Sequence, residues 1–146
     1  MYNKILLPTD GSKYANNAAK HAIWAADSCG ADMIVLNVVE SNKIPDMRAD
    51  EVESELKKMM REEGNAAFEE VSQLLDQSPV DVKASFIIEE GNPADKILKT
   101  IDNNDIDLVV MGTSGKHGLD RILIGSVAEK VVRNANCTVT ITHSAS

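Results

Sequence analysis

Asp107-Leu-Val-Val-Met-Gly112-Thr-Ser-Gly115-Lys-His-Gly-Leu-Asp-Arg-Ile-Leu-Ile-Gly125-Ser126-Val-Ala-Glu129 is the stretch on which the reading of this chain turns. An apolar run ends at Gly112, a loop bearing further glycines follows, and Gly125-Ser126 opens an amphipathic segment. Strand, glycine loop and helix N-terminus in that order gather backbone N–H groups around an anion. The first expectation is therefore a phosphate site. Lys116, His117 and Arg121 add positive charge within the loop, and Asp120 offsets part of it.

The segments around this stretch repeat its strand-then-helix order. Ile5-Leu6-Leu7, closed by Pro8, and Met33 to Val39, interrupted only by Asn37, are apolar on consecutive positions. Such runs suit strands covered on both faces, as in a parallel sheet. Val80, Val82, Ala84 and Phe86 alternate with polar residues before Ile87-Ile88 and predict a third strand. Ile106 to Met111 is the fourth, and Thr138-Val-Thr-Ile-Thr142 is a fifth with one apolar and one hydroxyl face.

Helices fall between these strands. Residues 13–28 carry a small-residue face of Ala15, Ala18, Ala19, Ala22 and Ala26, which suits close approach to a sheet. Residues 49–77 have an apolar stripe opposite a charged face, with Gly64 expected to weaken the middle. Asn92-Pro93 starts a third helix as cap and first residue. Ser126 to about Ala135 is the fourth, and Ser126-Val-Ala-Glu129 also reads as a capping box.

Strict alternation of strand and helix predicts one α/β domain over residues 1–146: a three-layer, doubly wound, five-stranded parallel sheet with right-handed crossovers. Ligands of such sheets sit beyond the C-terminal strand ends, where the strand order reverses. That rule would bring Pro8-Thr9-Asp10 beside Met111-Gly112-Thr113. Asp10 repels phosphate but can accept hydrogen bonds from a ribose hydroxyl or an amino group; it reads equally well as a turn residue.

Composition narrows the partners. The 146 residues are 43% hydrophobic and 26% charged, with a formal net charge of -8 and only 3% aromatics. A net acidic chain lacks the clustered Lys and Arg that nucleic-acid backbones require, and aromatics are too few for base stacking. Nor does it suit an anionic membrane surface. No apolar run approaches the roughly 20 residues of a spanning helix, and the N-terminal apolar stretch is too short for a signal peptide. The expectation is a cytoplasmic protein without nucleic-acid or membrane partners. Cys29 and Cys137, far apart in sequence, and the scattered His21, His117 and His143 have no metal-ligand spacing. The two cysteines read as small, reduced core residues.

Better-known phosphate and catalytic motifs are missing. No GxxxxGK[ST] is present, no GxGxxG follows the first strand, and no nucleophile elbow appears. A phospho-acceptor receiver domain needs an acceptor Asp ending strand three and a Lys ending strand five, which Phe86-Ile-Ile-Glu-Glu90 and Val139-Thr-Ile-Thr-His143 do not supply. A nucleotidyl transferase of similar fold wants His-x-Gly-His, which Lys116-His-Gly-Leu119 does not provide.

The spacing Gly112-x2-Gly115-x9-Gly125-Ser126 resembles the G-x2-G-x9-G-(S/T) motif of nucleotide-binding universal stress proteins. Tyr2-x-Lys4-Ile-Leu-Leu-Pro-Thr-Asp10-Gly-Ser12, Ile34-Val-Leu-Asn-Val38, Glu90-Gly91-Asn-Pro-Ala94 and Asp107-Leu-Val-Val-Met-Gly112 resemble that family's segments in register along nearly the whole chain. The resemblance implies strand order 3-2-1-4-5, an adenine nucleotide alpha hydrolase-like fold, and a homodimer. It also implies ATP across the C-terminal edge of the sheet, with Mg or Mn carried on the phosphates. By position, Asp10 and the Val38 backbone would hold the nucleoside, and Gly112, Gly115, Gly125 and Ser126 the phosphates and ribose. Met111 and Val127 would line the pocket, and Pro8 and Thr9 would shape its floor. The final strand departs from the family pattern, in which Pro often precedes an aliphatic strand that pairs across the dimer; here threonines alternate.

The function implied is a nucleotide-dependent stress-response switch or sensor. The alternative is a dimeric interaction scaffold of the same family that binds no nucleotide. No general base is placed for water, so a slow ATPase is the most that catalysis would amount to.

Overall fold

Buried strands with no polar face must be covered on both sides, and the computed structural model, which describes residues 1–41, 50–113 and 124–143, shows how this is done. The elements follow in strict alternation: β1 (Lys4–Pro8), α1 (Lys13–Cys29), β2 (Asp32–Val39), α2 (Asp50–Gln77), β3 (Ala84–Glu90), α3 (Pro93–Asn103), β4 (Leu108–Gly112), α4 (Ser126–Asn134) and β5 (Thr138–Thr142). The strands form one five-stranded sheet, parallel throughout, in the order β3-β2-β1-β4-β5.

Side-chain parity sorts the core into two layers. Ile5, Leu7, Met33, Val35, Leu108 and Val110 point to the face covered by α1 and α2, against Ala18, Ala19, Ala22 and Val71. Leu6, Leu36, Val109 and Met111 point to the opposite face, against Ile97 and Ile101 of α3 and Ala128 and Val131 of α4. Ile5, Leu6, Leu7, Val109 and Val110 have no exposure at all. Each such side chain contributes about 1.5–3 kcal/mol relative to leaving it in water, and these strands run where that contribution is largest.

Two predicted boundaries shift. The alternating run from Val80 does not begin the third strand, because β2 starts at Asp32 and its ladder to β3 begins at Met33↔Ala84. Val80 and Val82 pack on the α1/α2 layer ahead of the strand. The fourth strand begins at Leu108 rather than Ile106, since the Asp107 N–H still bonds the Lys4 carbonyl (3.1 Å) and the Asp107 carboxylate turns back onto β1. Its oxygens accept from the Asn3 N–H (2.8 Å) and the Lys4 N–H (3.1 Å).

Gly64 has a different role from the weak point predicted in the long helix. A Cβ built there would lie 2.4 Å from Asn37 Oδ1 and 2.9 Å from Asn37 Cγ. Asn37 is buried and its amide is bonded to the Thr9 carbonyl at 2.9 Å, so it cannot swing away without breaking that bond. Gly64→Ala gains up to about 1 kcal/mol of helix propensity but loses about 1–3 kcal/mol to overpacking. The expected result is a net destabilisation, read as a lower urea midpoint at unchanged slope; a higher midpoint would mean that α2 can lift off β2 without penalty.

Cys29 and Cys137 are free thiols, and both are half-buried rather than core residues. Burial, with Asp107 and then Asp102 nearby, pushes the Cys137 thiol above its ordinary pKa, so it remains protonated at neutral pH.

Candidate functional site

The site is built by a mismatch in strand lengths at the C-terminal edge of the sheet. β1 and β4 pair only at Ile5↔Leu108 and Leu6↔Val109. In a parallel ladder alternate residues face alternate neighbours, and Pro8 falls on the β4-facing positions of β1. It has no N–H with which to make the next rung, so β1 and β4 part after Leu6. On the other side β1 stays with β2 as far as Pro8↔Leu36, and the Thr9 N–H adds a bond to the Leu36 carbonyl at 2.8 Å. β2 continues to Val39 beside β3, and β4 continues to Gly112 beside β5. The central strand is thus the shortest at this edge, and the order reverses across it: a notch floored by Pro8 and Thr9, with Val38 on one side and Met111-Gly112 on the other.

Thr9 is buried, Pro8 is half-buried, and Val38 packs at the margin of the α3/α4 layer. Met111 is buried, with 6% exposure, in that layer's core. Val127 packs against the same layer from α4. Asp10 leaves the floor in a turn: its Oδ1 accepts from the Ser12 N–H (2.9 Å), and Gly11 N–H donates to Thr9 Oγ1 (3.3 Å). Ser12 then caps α1 by accepting from the Ala15 N–H at 3.1 Å. The bond from the Ser12 N–H occupies one of the lone pairs of the Asp10 carboxylate.

Gly112 ends β4 against α1. A Cβ there would meet Tyr14 Cβ at 2.6 Å and the Tyr14 backbone C and O at 2.8 Å each. The absence of a side chain at Gly112 therefore serves first the docking of β4 on α1. Gly115 lies outside the described residues, as do Lys116, His117, Asp120 and Arg121.

The start of α4 differs from the capping box read in the sequence. Gly125 is the N-cap, with extended backbone and no side-chain cap, and Ser126 is already the first helical residue. Ser126 thus stands one position too late to close the box with Glu129, whose N–H bonds the Gly125 carbonyl at 2.9 Å. The Gly125 N–H is held by the Thr113 carbonyl, so the donors that have no acceptor within the helix are those of Ser126, Val127 and Ala128. By contrast, α1 is capped by Ser12, and α3 is capped by Asn92, whose Oδ1 accepts from the Asp95 N–H at 3.1 Å. Among the described residues no side chain caps the α4 end, which carries the positive pole of a helix.

Among the described residues no cluster of three His, Cys, Asp or Glu could hold a metal ion, and no helix is long and apolar enough to cross a membrane.

A doubly wound parallel sheet of order 3-2-1-4-5 with its crevice between strands one and four is the adenine nucleotide alpha hydrolase-like fold. The model of the universal stress protein family matches residues 1–143, and the chain belongs to that family. It is 38% identical over 141 residues to universal stress protein MJ0531 of Methanocaldococcus jannaschii, covering 97% of this chain and 82% of the relative. The solved structure of protein MJ0577 superposes with a TM-score of 0.86 at 34% identity, covering 100% of this chain and 99% of that one. More distant structures share the fold. One is a universal stress protein in complex with cAMP (TM-score 0.70, 20% identity, 99% and 98% covered). Another is the Archaeoglobus fulgidus protein in complex with dAMP (TM-score 0.64, 21% identity, 96% and 97% covered).

Proposed function

We propose that this protein binds ATP in the notch at the C-terminal edge of the sheet and acts as a nucleotide-dependent switch or sensor in the stress response. The observation that carries the reading is the pairing of an uncapped α4 N-terminus with a floor at Pro8-Thr9-Asp10 on the other side of the same crevice. Backbone N–H groups of Ser126 and Val127 suit phosphate oxygens, and the Asp10 carboxylate suits the hydroxyl or amino donors of a nucleoside. Adenine nucleotides bound to two more distant proteins of the fold support the same ligand class.

Gly115, in the motif loop, would let the backbone approach the phosphates. A divalent cation would be carried by the phosphates themselves, because the described residues offer no ligand cluster of their own. Binding rather than turnover is the activity this reading expects, with a slow ATPase at most. The cytoplasm is the expected location. A homodimer is the expected assembly, with the edge strand β5 available for pairing.

The test is to denature freshly purified protein and identify the small molecules released by mass, then to follow unfolding with added Mg-ATP. ATP at near-stoichiometric yield is expected. At a hundredfold excess over Kd, bound nucleotide stabilises by about 2.7 kcal/mol, a rise in Tm of about 5–10 °C for a chain of this size. Gly115→Val is expected to remove that rise while the dimer persists. No release and no shift would instead favour the interaction scaffold.

A further inference from the structure

We infer that Asn37 is a positioning residue of the nucleotide site: its amide takes the last carbonyl of β1 and so leaves the Val38 N–H open on the notch. The inference rests on the ATP-binding reading and names what prepares its nucleoside side.

In parallel pairing, the N–H and C=O of one residue face the same neighbouring strand, and the next residue faces the other. Along β2 the odd positions face β3, as the Met33 N–H on the Lys83 carbonyl (2.8 Å) and the Gly91 N–H on the Val39 carbonyl (2.9 Å) show. The even positions face β1, as the Thr9 N–H on the Leu36 carbonyl (2.8 Å) shows. Val38 therefore directs its N–H toward β1. The next rung would join the Val38 N–H to the Thr9 carbonyl and continue the sheet by one residue. Instead the Thr9 carbonyl accepts from Asn37 Nδ2 at 2.9 Å, and the β1–β2 register ends at Pro8↔Leu36.

Asn37 can do this because α2 leaves it room. It is 93% buried, on the α2 side of the sheet, and its Oδ1 occupies the space where a side chain at residue 64 would stand. An apolar residue on this buried strand would satisfy packing, but it would leave the Thr9 carbonyl to the Val38 N–H. The notch would then be one rung shallower, and the nucleoside would lose a backbone donor. Pro8 keeps β4 off one flank of β1 and Asn37 keeps β2 off the other.

The test uses the full chain, labelled for residue-resolved amide exchange, together with calorimetry. In the wild-type protein without nucleotide the Val38 N–H is expected to exchange at least about tenfold faster than that of Leu36, its bonded neighbour on the same strand. Asn37→Leu, similar in volume but without a donor, is expected to slow Val38 exchange as the rung closes. The same variant is expected to weaken ATP about tenfold or more, the equivalent of one lost hydrogen bond, and to leave inorganic tripolyphosphate binding unchanged within about twofold. A purely structural role would weaken both ligands together, and that outcome overturns the inference. So does a wild-type Val38 amide as protected as Leu36, or an Asn37→Leu protein that binds ATP normally. If Asn37→Leu does not fold, Asn37→Ser, too short to reach Thr9, replaces it, and the wild-type measurement needs no variant. If wild-type protein binds no ATP, the nucleotide reading itself fails, and Val38 exchange still decides whether Asn37 opens the rung.

Discussion

Gly112→Ala is expected to lower the stability of the folded chain by about 3 kcal/mol, at the upper end of the usual overpacking penalty, and more for Gly112→Val. The reason lies in what the added Cβ would strike. Tyr14 Cβ at 2.6 Å is fixed by its own backbone and cannot turn away, and the Tyr14 carbonyl group at 2.8 Å belongs to the first turn of α1. Relief requires moving the helix, and α1 is held to the sheet by Ala18, Ala19 and Ala22, none of which has exposed surface. Against a total stability of about 5–15 kcal/mol, such a loss is large. Urea unfolding would show it as a shifted midpoint. A midpoint equal to that of wild type would mean that the β4–α1 contact yields freely and that Gly112 serves only the ligand.

Asp10→Ala is expected to weaken ATP binding by about 10- to 100-fold, the range for losing a hydrogen bond to a charged group, with a much smaller effect on folding. Ser12 continues to cap α1 in the variant, since its own bond to the Ala15 N–H does not involve Asp10. What is lost is the acceptor for the Ser12 N–H and the carboxylate proposed for the nucleoside end. Asp10→Asn separates these two, because its amide oxygen can still accept from Ser12 and fold the turn. Calorimetry on both variants gives a clear reading. Loss in the alanine variant with recovery in the asparagine variant assigns Asp10 to the turn; loss in both assigns the charge to the ligand. Unchanged affinity in both would remove Asp10 from the site.

The architecture was legible because buried parallel strands must be apolar on consecutive positions, and Ile5-Leu6-Leu7 and Leu108-Val109-Val110 can hardly be placed otherwise. The rule that ligands of such sheets sit beyond the C-terminal strand ends then brought Pro8-Thr9-Asp10 beside Met111-Gly112-Thr113. Other features depend on facts that no local window holds. Gly125-Ser126 offers two equally plausible first residues for a helix, and the choice of Gly125 as cap dissolves the capping box. The Val80–Val82 alternation satisfies strand periodicity, yet pairing waits for the start of β2. Asn37 looks like a polar blemish in an apolar strand. Its purpose emerges only when the register with Thr9 and the gap at Gly64 are both known. Asp107, visible in the motif, gave no hint that it would bind two amides at the start of β1.

The short ladder between β1 and β4 also bears on how the molecule comes apart. Five register pairs join β1 to β2 and seven join β2 to β3, whereas two join β1 to β4. The sheet has a seam. Across it, cohesion rests on side chains of α1 and on the Asp107 carboxylate more than on rungs of backbone, so β4, α4 and β5 form a natural unit of partial opening. Breathing along that seam would widen the crevice that Pro8 creates, and a ligand bridging Asp10 and the α4 N-terminus would act as a staple across it. In that sense the nucleotide would complete the middle of a sheet that the chain leaves partly unzipped.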